Sequence, residues 1–150
     1  MNNSRLASAP LSAKLLVTSI LCVIGLVYLT LVVHIWIDTD LKPSLVAESY
    51  GYMEYIELTD HAHFYFPYYA FLLGIPVALF MFTSYKEMWK IFFAVVPFCV
   101  IIVDISSMYL IPYVWAIGFA WVLWMAGTCL GTMLFILYLA ILYDVWLKKA

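Results

Sequence analysis

A chain of 150 residues that is 67% hydrophobic, 19% aromatic and only 11% charged cannot clothe a water-facing surface, because soluble domains carry about 25% charged residues. The net charge is −2 and there is no basic patch beyond a few anchoring lysines, which excludes a nucleic-acid partner. The apolar residues come in long blocks, the pattern of membrane-crossing helices. The expected fold is therefore an all-α membrane protein, a single-domain up-and-down bundle of four transmembrane helices over 1–150.

The first predicted span runs from about Ala13 to Ile37. It is too long for a signal-peptide core and no small-residue cleavage site follows it, so it is expected to be retained. The second runs from about Ala62 to Phe82 and the third from about Met88 to Ile111. The fourth, from about Tyr113 to Val145, exceeds the ~20 residues that cross hydrocarbon. No charge or turn residue divides it before Asp144, so it reads as one span, tilted or extending past the bilayer. Ser84-Tyr85-Lys86-Glu87 is a short polar turn. Pro112 is expected to end one helix and start the next. Only 38–60 reads as a true loop. Pro67, Pro76 and Pro97 are expected to bend or loosen the second and third helices.

Charge placement orients the bundle. Arg5, Lys14, Lys86, Lys90, Lys148 and Lys149 share one side, whereas the 38–60 loop has only Lys42 among Asp38, Asp40, Glu48, Glu54, Glu57 and Asp60. The positive-inside rule puts both termini in the cytoplasm and the loop outside, in the periplasm if the membrane is a Gram-negative inner membrane. Trp36, Trp89, Trp115 and Trp146 fall near span ends, as interfacial aromatics do.

This topology gathers polar side chains at one end. His34 closes the first span, and His61 and His63 open the second in Thr59-Asp60-His61-Ala62-His63. Asp104 lies in the third span, about one to two turns below His63 at ~1.5 Å per residue. An ionised aspartate there is costly unless partnered or protonated. Ser106, Ser107, Tyr65, Tyr68, Tyr69, Tyr109 and Tyr113 sit at similar depth. Two axial histidines from facing helices hold a haem b, a role open to His34 with His61 or His63. Copper or zinc takes three or four ligands, which His34, His61, His63 and Asp60 or Asp38 would supply. Residues i and i+2 of a helix point about 200° apart, so His61 and His63 share one metal only if the helix starts after them. The plainer alternative is that the histidines sit at the water interface without a cofactor. Asp104 is either a structural hydrogen-bonding partner or part of a proton path or a metal's outer shell.

Gly127 and Gly131 form a GxxxG motif in the fourth span, a close-packing face directed into the bundle or toward another membrane subunit. Asp144 and Lys148 have the i,i+4 spacing of a structural pair. Cys22, Cys99 and Cys129 lie in apolar runs, with no CxxC or CxxCH, so they read as packing residues and a covalently attached c-type haem is excluded. No nucleophile elbow, P-loop, HExxH or dinucleotide fingerprint occurs, so an enzyme with its own catalytic apparatus is not indicated. Three function classes fit the residues: a small membrane subunit linked to electron transfer, a cofactor-free structural or assembly subunit, and a small-solute or proton carrier using Asp104.

Four short motifs carry a resemblance. They are Leu11-Ser12-Ala13-Lys14-Leu15-Leu16, Gly25-Leu26-Val27-Tyr28, the Thr59–His63 stretch with Gly74 downstream, and Pro97 followed by Val103-Asp104-Ile105-Ser106. On these the chain resembles a poorly characterised family of bacterial four-helix inner-membrane proteins. The resemblance implies a role beside respiratory electron transfer, because larger members carry a c-type haem motif in the first loop. This chain departs from them there, its loop being short and free of cysteine. The HxH opening also looks like the ligand-bearing helix of haem-copper oxidase main subunits, but one such helix cannot make such an oxidase.

Overall fold

The computed structural model describes residues 6–148; Arg5 and Lys149, two of the orienting charges, lie outside the described residues. Long apolar stretches with good helix formers give α1 (Leu11–Thr39), α3 (Tyr55–Met81), α4 (Glu87–Tyr113) and α5 (Ala116–Leu142), with a short α2 (Pro43–Gly51) between the first two. α5 runs into a π-helical turn, Tyr143–Leu147. Among the described residues four helices are long and apolar enough to cross a membrane, with mean hydropathies of 2.6, 1.6, 2.4 and 2.1 for α1, α3, α4 and α5 with its π turn. Their outer surface fits lipid: Leu26, Phe71, Ile102 and Phe135 are all largely exposed. The chain is an integral membrane protein built as a helical bundle.

The segment expected as a loop is mostly helical. α1 ends with the Asp40 N–H on the Trp36 carbonyl at 2.8 Å. Asp40 and Leu41 then take left-handed φ values of 47° and 57°. That reversal lays α2 back over the end of the bundle, where the Trp124 indole N–H donates to the Leu41 carbonyl at 2.9 Å. Pro43 suits the first turn of α2, and Val46 and Ala47 pack on Ile111 and Ala120. α3 starts at Tyr55, about two turns before the expected Ala62. A reciprocal cap explains the early start: the Glu57 carboxylate accepts the Glu54 N–H at 3.0 Å, while the Glu54 side chain accepts from the backbone of Glu57.

Pro112 does not separate two helices as expected. It occupies the last turn of α4, and the chain leaves the helix only after Tyr113. Gly118 then clears space for the Trp115 indole, which a side chain there would overlap. Pro67 and Pro76 lie inside α3 and Pro97 inside α4 without ending either helix. At the opposite end the Lys90 ammonium donates to the Met81 carbonyl at 2.8 Å, satisfying one of the orphan acceptors of α3.

Asp144 and Lys148 form no direct ion pair among the described residues. The π turn is the reason: its hydrogen bond runs from the Lys148 N–H to the Tyr143 carbonyl at 3.1 Å, five residues back, so i,i+4 residues no longer share a face. Both side chains instead bond Ser84 from the α3–α4 connection.

The core divides along the membrane normal. Toward the termini it is mainly apolar, with Leu21, Phe80, Phe93, Leu137 and Ile141 buried together and Thr83 and Asp144 buried at its very end. Toward α2, Ile24, Leu31, Leu72, Ile101 and Leu134 surround the buried Asp104 and Ser107. α4 and α5 pack closely, whereas α1 packs on α2 and α3 and meets α5 through two tyrosines. The Tyr28 hydroxyl fills the place where a side chain at Gly131 would stand, and the Tyr138 hydroxyl lies 3.0 Å from where one would stand at Gly25. Gly131→Ala is therefore expected to destabilise the bundle by about 1–2 kcal/mol despite alanine's better helix propensity. In a Tyr28→Ala background that cost should vanish. A double-mutant cycle on unfolding in detergent checks it, and strict additivity would refute the contact.

Candidate functional site

The polar residues of the α2 end surround a cavity of about 600 Å³. α1 contributes Tyr28, His34 and Asp38, α2 contributes Tyr50, and α3 contributes His61, Tyr65 and Tyr69. α4 adds Asp104 and α5 adds Gly127 and Gly131. The remaining wall is largely apolar.

Because α3 begins at Tyr55, His61 and His63 are both inside the helix, and the helical period sends them to different faces. His61 is half-buried and lines the cavity, whereas His63 is exposed and does not. The His61 Nδ1 sits 2.9 Å from the Glu57 carbonyl, one turn back. Its ring stands edge-on to Tyr50 at 6.0 Å and tilted to Tyr65 at 6.3 Å. With Nδ1–H donating to that carbonyl, Nε2 keeps its lone pair for a ligand. His34 is on the rim of the cavity, its Nε2 3.4 Å from the Asp38 carboxylate. Asp60 is exposed beside His61 on α3 and does not line the cavity. Among the described residues no three His, Cys, Asp or Glu side chains come together as a metal ion would require.

Asp104 is only 3% exposed, and this decides its character: the carboxyl is in the interior of the bundle, on α4. The Tyr69 hydroxyl donates to it. A Cβ at Gly127 would stand 4.0 Å from its Oδ1, so the glycine leaves the carboxyl facing open space. Both glycines of the GxxxG motif thus face inward, one toward Asp104 and one under Tyr28. Ser107 is spent on its own helix, donating to the Val103 carbonyl at 2.7 Å. Tyr68 donates to the Val27 carbonyl at 2.9 Å and pins α3 to α1. Tyr109 reaches Thr59 at 3.4 Å.

Tyr50 is the cavity residue that sequence reasoning missed. It lies in the segment expected as a loop, and the signal that could have found it is Pro43 opening a short helix. Its hydroxyl donates to Tyr65, and burial, followed by the neighbouring Tyr65, holds the Tyr50 phenol well above the usual tyrosine range. Tyr65 and Tyr69 stack at 5.9 Å. An aromatic and hydroxyl-rich lining therefore runs from α2 down to Asp104.

Residues 47–150 match the model of the Aq_1264_TM family, described as a transmembrane helical domain. The chain belongs to this family. Comparisons with curated proteins and with solved structures return no match. The family match starts within α2 and takes in His61, Asp104, Gly127 and Gly131, while His34 on α1 precedes it.

Proposed function

We propose that this chain is a small multi-pass subunit or accessory protein of respiratory electron transfer in a bacterial inner membrane, and that its cavity holds a b-type haem between His34 and His61. One observation carries the reading: these two histidines, on neighbouring helices, share the wall of a single aromatic-lined cavity of about 600 Å³. A haem takes two axial nitrogens from a helical bundle, whereas copper or zinc takes three or four ligands. The lining offers two imidazoles, so its chemistry fits haem better than either metal. Glu57 would fix the orientation of His61 and Asp38 that of His34, each from the nitrogen opposite the ligating one. Bound there, a haem would supply one-electron chemistry. Lys14, Lys86, Lys90 and Lys148 gather at the termini end, and Asp38, Asp40, Glu48, Glu54, Glu57 and Asp60 at the α2 end, which by the positive-inside rule supports a cavity facing the periplasm.

The test is a reduced-minus-oxidised absorption spectrum of the full chain purified from a haem-replete host. A sharp α-band is expected. A flat spectrum from protein with native helicity would remove haem from the reading.

A cofactor-free structural or assembly subunit is the second reading. It is favoured by an apolar groove of about 1520 Å³ that follows α5 from Trp124 to Trp146 and is walled by Trp89 and Phe92. Such a groove suits the helix of another membrane subunit, and this reading predicts a colourless protein whose stability rises when a partner subunit is co-expressed.

A further inference from the structure

We infer that Asp104 is a proton-binding site open to one side of the membrane only, reached from the α2 end through the hydroxyls of Tyr50, Tyr65 and Tyr69. The inference needs no haem in the cavity. It starts from depth: Asp104 lies about 13 Å from the end of α4 nearest α2, at the rise of a helix, and is buried between apolar spans. An ionised carboxylate in that setting needs a partner or water.

The titratable groups facing the cavity around it are Tyr28, His34 and Asp38 from α1, Tyr50 from α2, and His61, Tyr65 and Tyr69 from α3. α5 offers Gly127 and Gly131 instead, and no lysine or arginine lines the wall among the described residues. With no permanent cation to neutralise it, the carboxyl favours its protonated form, and it becomes a proton-binding site where a route for exchange reaches it. A route exists on one side. Tyr69 donates to Asp104, Tyr65 stacks on Tyr69 at 5.9 Å, and Tyr50 donates to Tyr65 from the half-exposed α2. A phenol both donates and accepts, so each hydrogen-bonded pair, Tyr50–Tyr65 and Tyr69–Asp104, hands on a proton without ionising, and water in the cavity carries it between Tyr65 and Tyr69, whose rings stack without a hydrogen bond. The cavity itself is roomy enough for several waters, each of which takes about 30 Å³. On the other side the route stops. Val77, Phe80, Phe93, Leu137 and Ile141 fill the core with apolar atoms between Asp104 and the termini end. The arrangement is a proton well rather than a channel.

The experiment uses the full chain in lipid vesicles in one orientation, checked by the accessibility of Lys42 to an amine reagent. Infrared spectroscopy follows the carbonyl stretch of a protonated carboxylic acid while the pH on each side is changed separately. The expected result is a buried-acid band that titrates with the pH on the α2 side, ignores the other side, and disappears in Asp104→Asn. Tyr50→Phe should slow its hydrogen–deuterium exchange several-fold, and Tyr69→Phe should shift its frequency. The wild-type measurement alone decides sidedness, whether or not a variant folds. A band that follows the termini side or both sides, a band that survives Asp104→Asn, or no such band at any pH overturns the inference.

Discussion

His61→Ala is expected to abolish the haem spectrum of the purified protein, while His63→Ala leaves it unchanged. The two residues are the same chemical group two positions apart, so their contrast isolates geometry from composition. His61 faces the cavity, half-buried between Tyr50 and Tyr65, with its Nδ1 held 2.9 Å from the Glu57 carbonyl. His63 is exposed on another face of α3. Loss of an outer-shell partner of a metal ligand typically costs about 10–100-fold in affinity, and loss of the ligand itself costs more. His34→Ala should behave as His61→Ala does, because a haem held by two histidines loses its low-spin signature with either. His63→Ala should unfold at nearly the wild-type temperature, whereas His61→Ala should keep its helicity but unfold lower, because it loses the stabilisation that a bound haem gives the folded state. Equal spectra from the two variants, or loss of the band in His63→Ala alone, would sink the assignment of His61.

The contrast also shows what the sequence could and could not reveal. The four spans were legible because each is an apolar block longer than a soluble helix needs, with Ser84–Glu87 as a polar break. The direction of His61 against His63 was not, because it depends on where α3 starts. The expected start at Ala62 followed from the polar run Glu57-Leu58-Thr59-Asp60, which looks like loop. The Glu54–Glu57 cap overrides that composition and carries the helix back to Tyr55. The spacing of the two glutamates was in the sequence, but not that their side chains would close on the helix start. α2 was hidden for a similar reason: nine residues are too few for a periodic pattern, and packing on Ile111 and Ala120 holds it. Tyr50, and with it the mouth of the cavity, was lost along with α2. Asp104 was legible as an anomaly, a carboxyl inside an apolar span, but its link to Tyr69 and the open side at Gly127 depend on how α3 and α5 pack around α4.

Asp144→Ala should destabilise the bundle by about 2–5 kcal/mol, whereas Asp144→Asn should come within about 1 kcal/mol of wild type or exceed it. Asp144 is fully buried at 0% exposure, and its Oδ1 accepts from the Ser84 N–H at 3.1 Å and from the Ser84 hydroxyl. Lys148 donates to the same Ser84 oxygen, so Ser84 joins the α3–α4 connection to the end of α5. Alanine would leave the N–H and hydroxyl of the half-buried Ser84 without their acceptor, each costing up to about 1–3 kcal/mol, and would leave a void where the buried carboxyl stands. Asparagine keeps an acceptor where Oδ1 stands. It also replaces Oδ2, which is buried with no hydrogen-bond partner, by a neutral amide and removes the cost of holding a charge there. If the carboxylate instead served as the counter-ion of Lys148 through Ser84, asparagine would cost as much as alanine. Unfolding in detergent separates the cases, and a lysine-side control, Lys148→Met, should then be as damaging as Asp144→Asn. Near-equal stability of wild type and Asp144→Asn would establish that shape and hydrogen bonding, not charge, hold this end of the bundle closed.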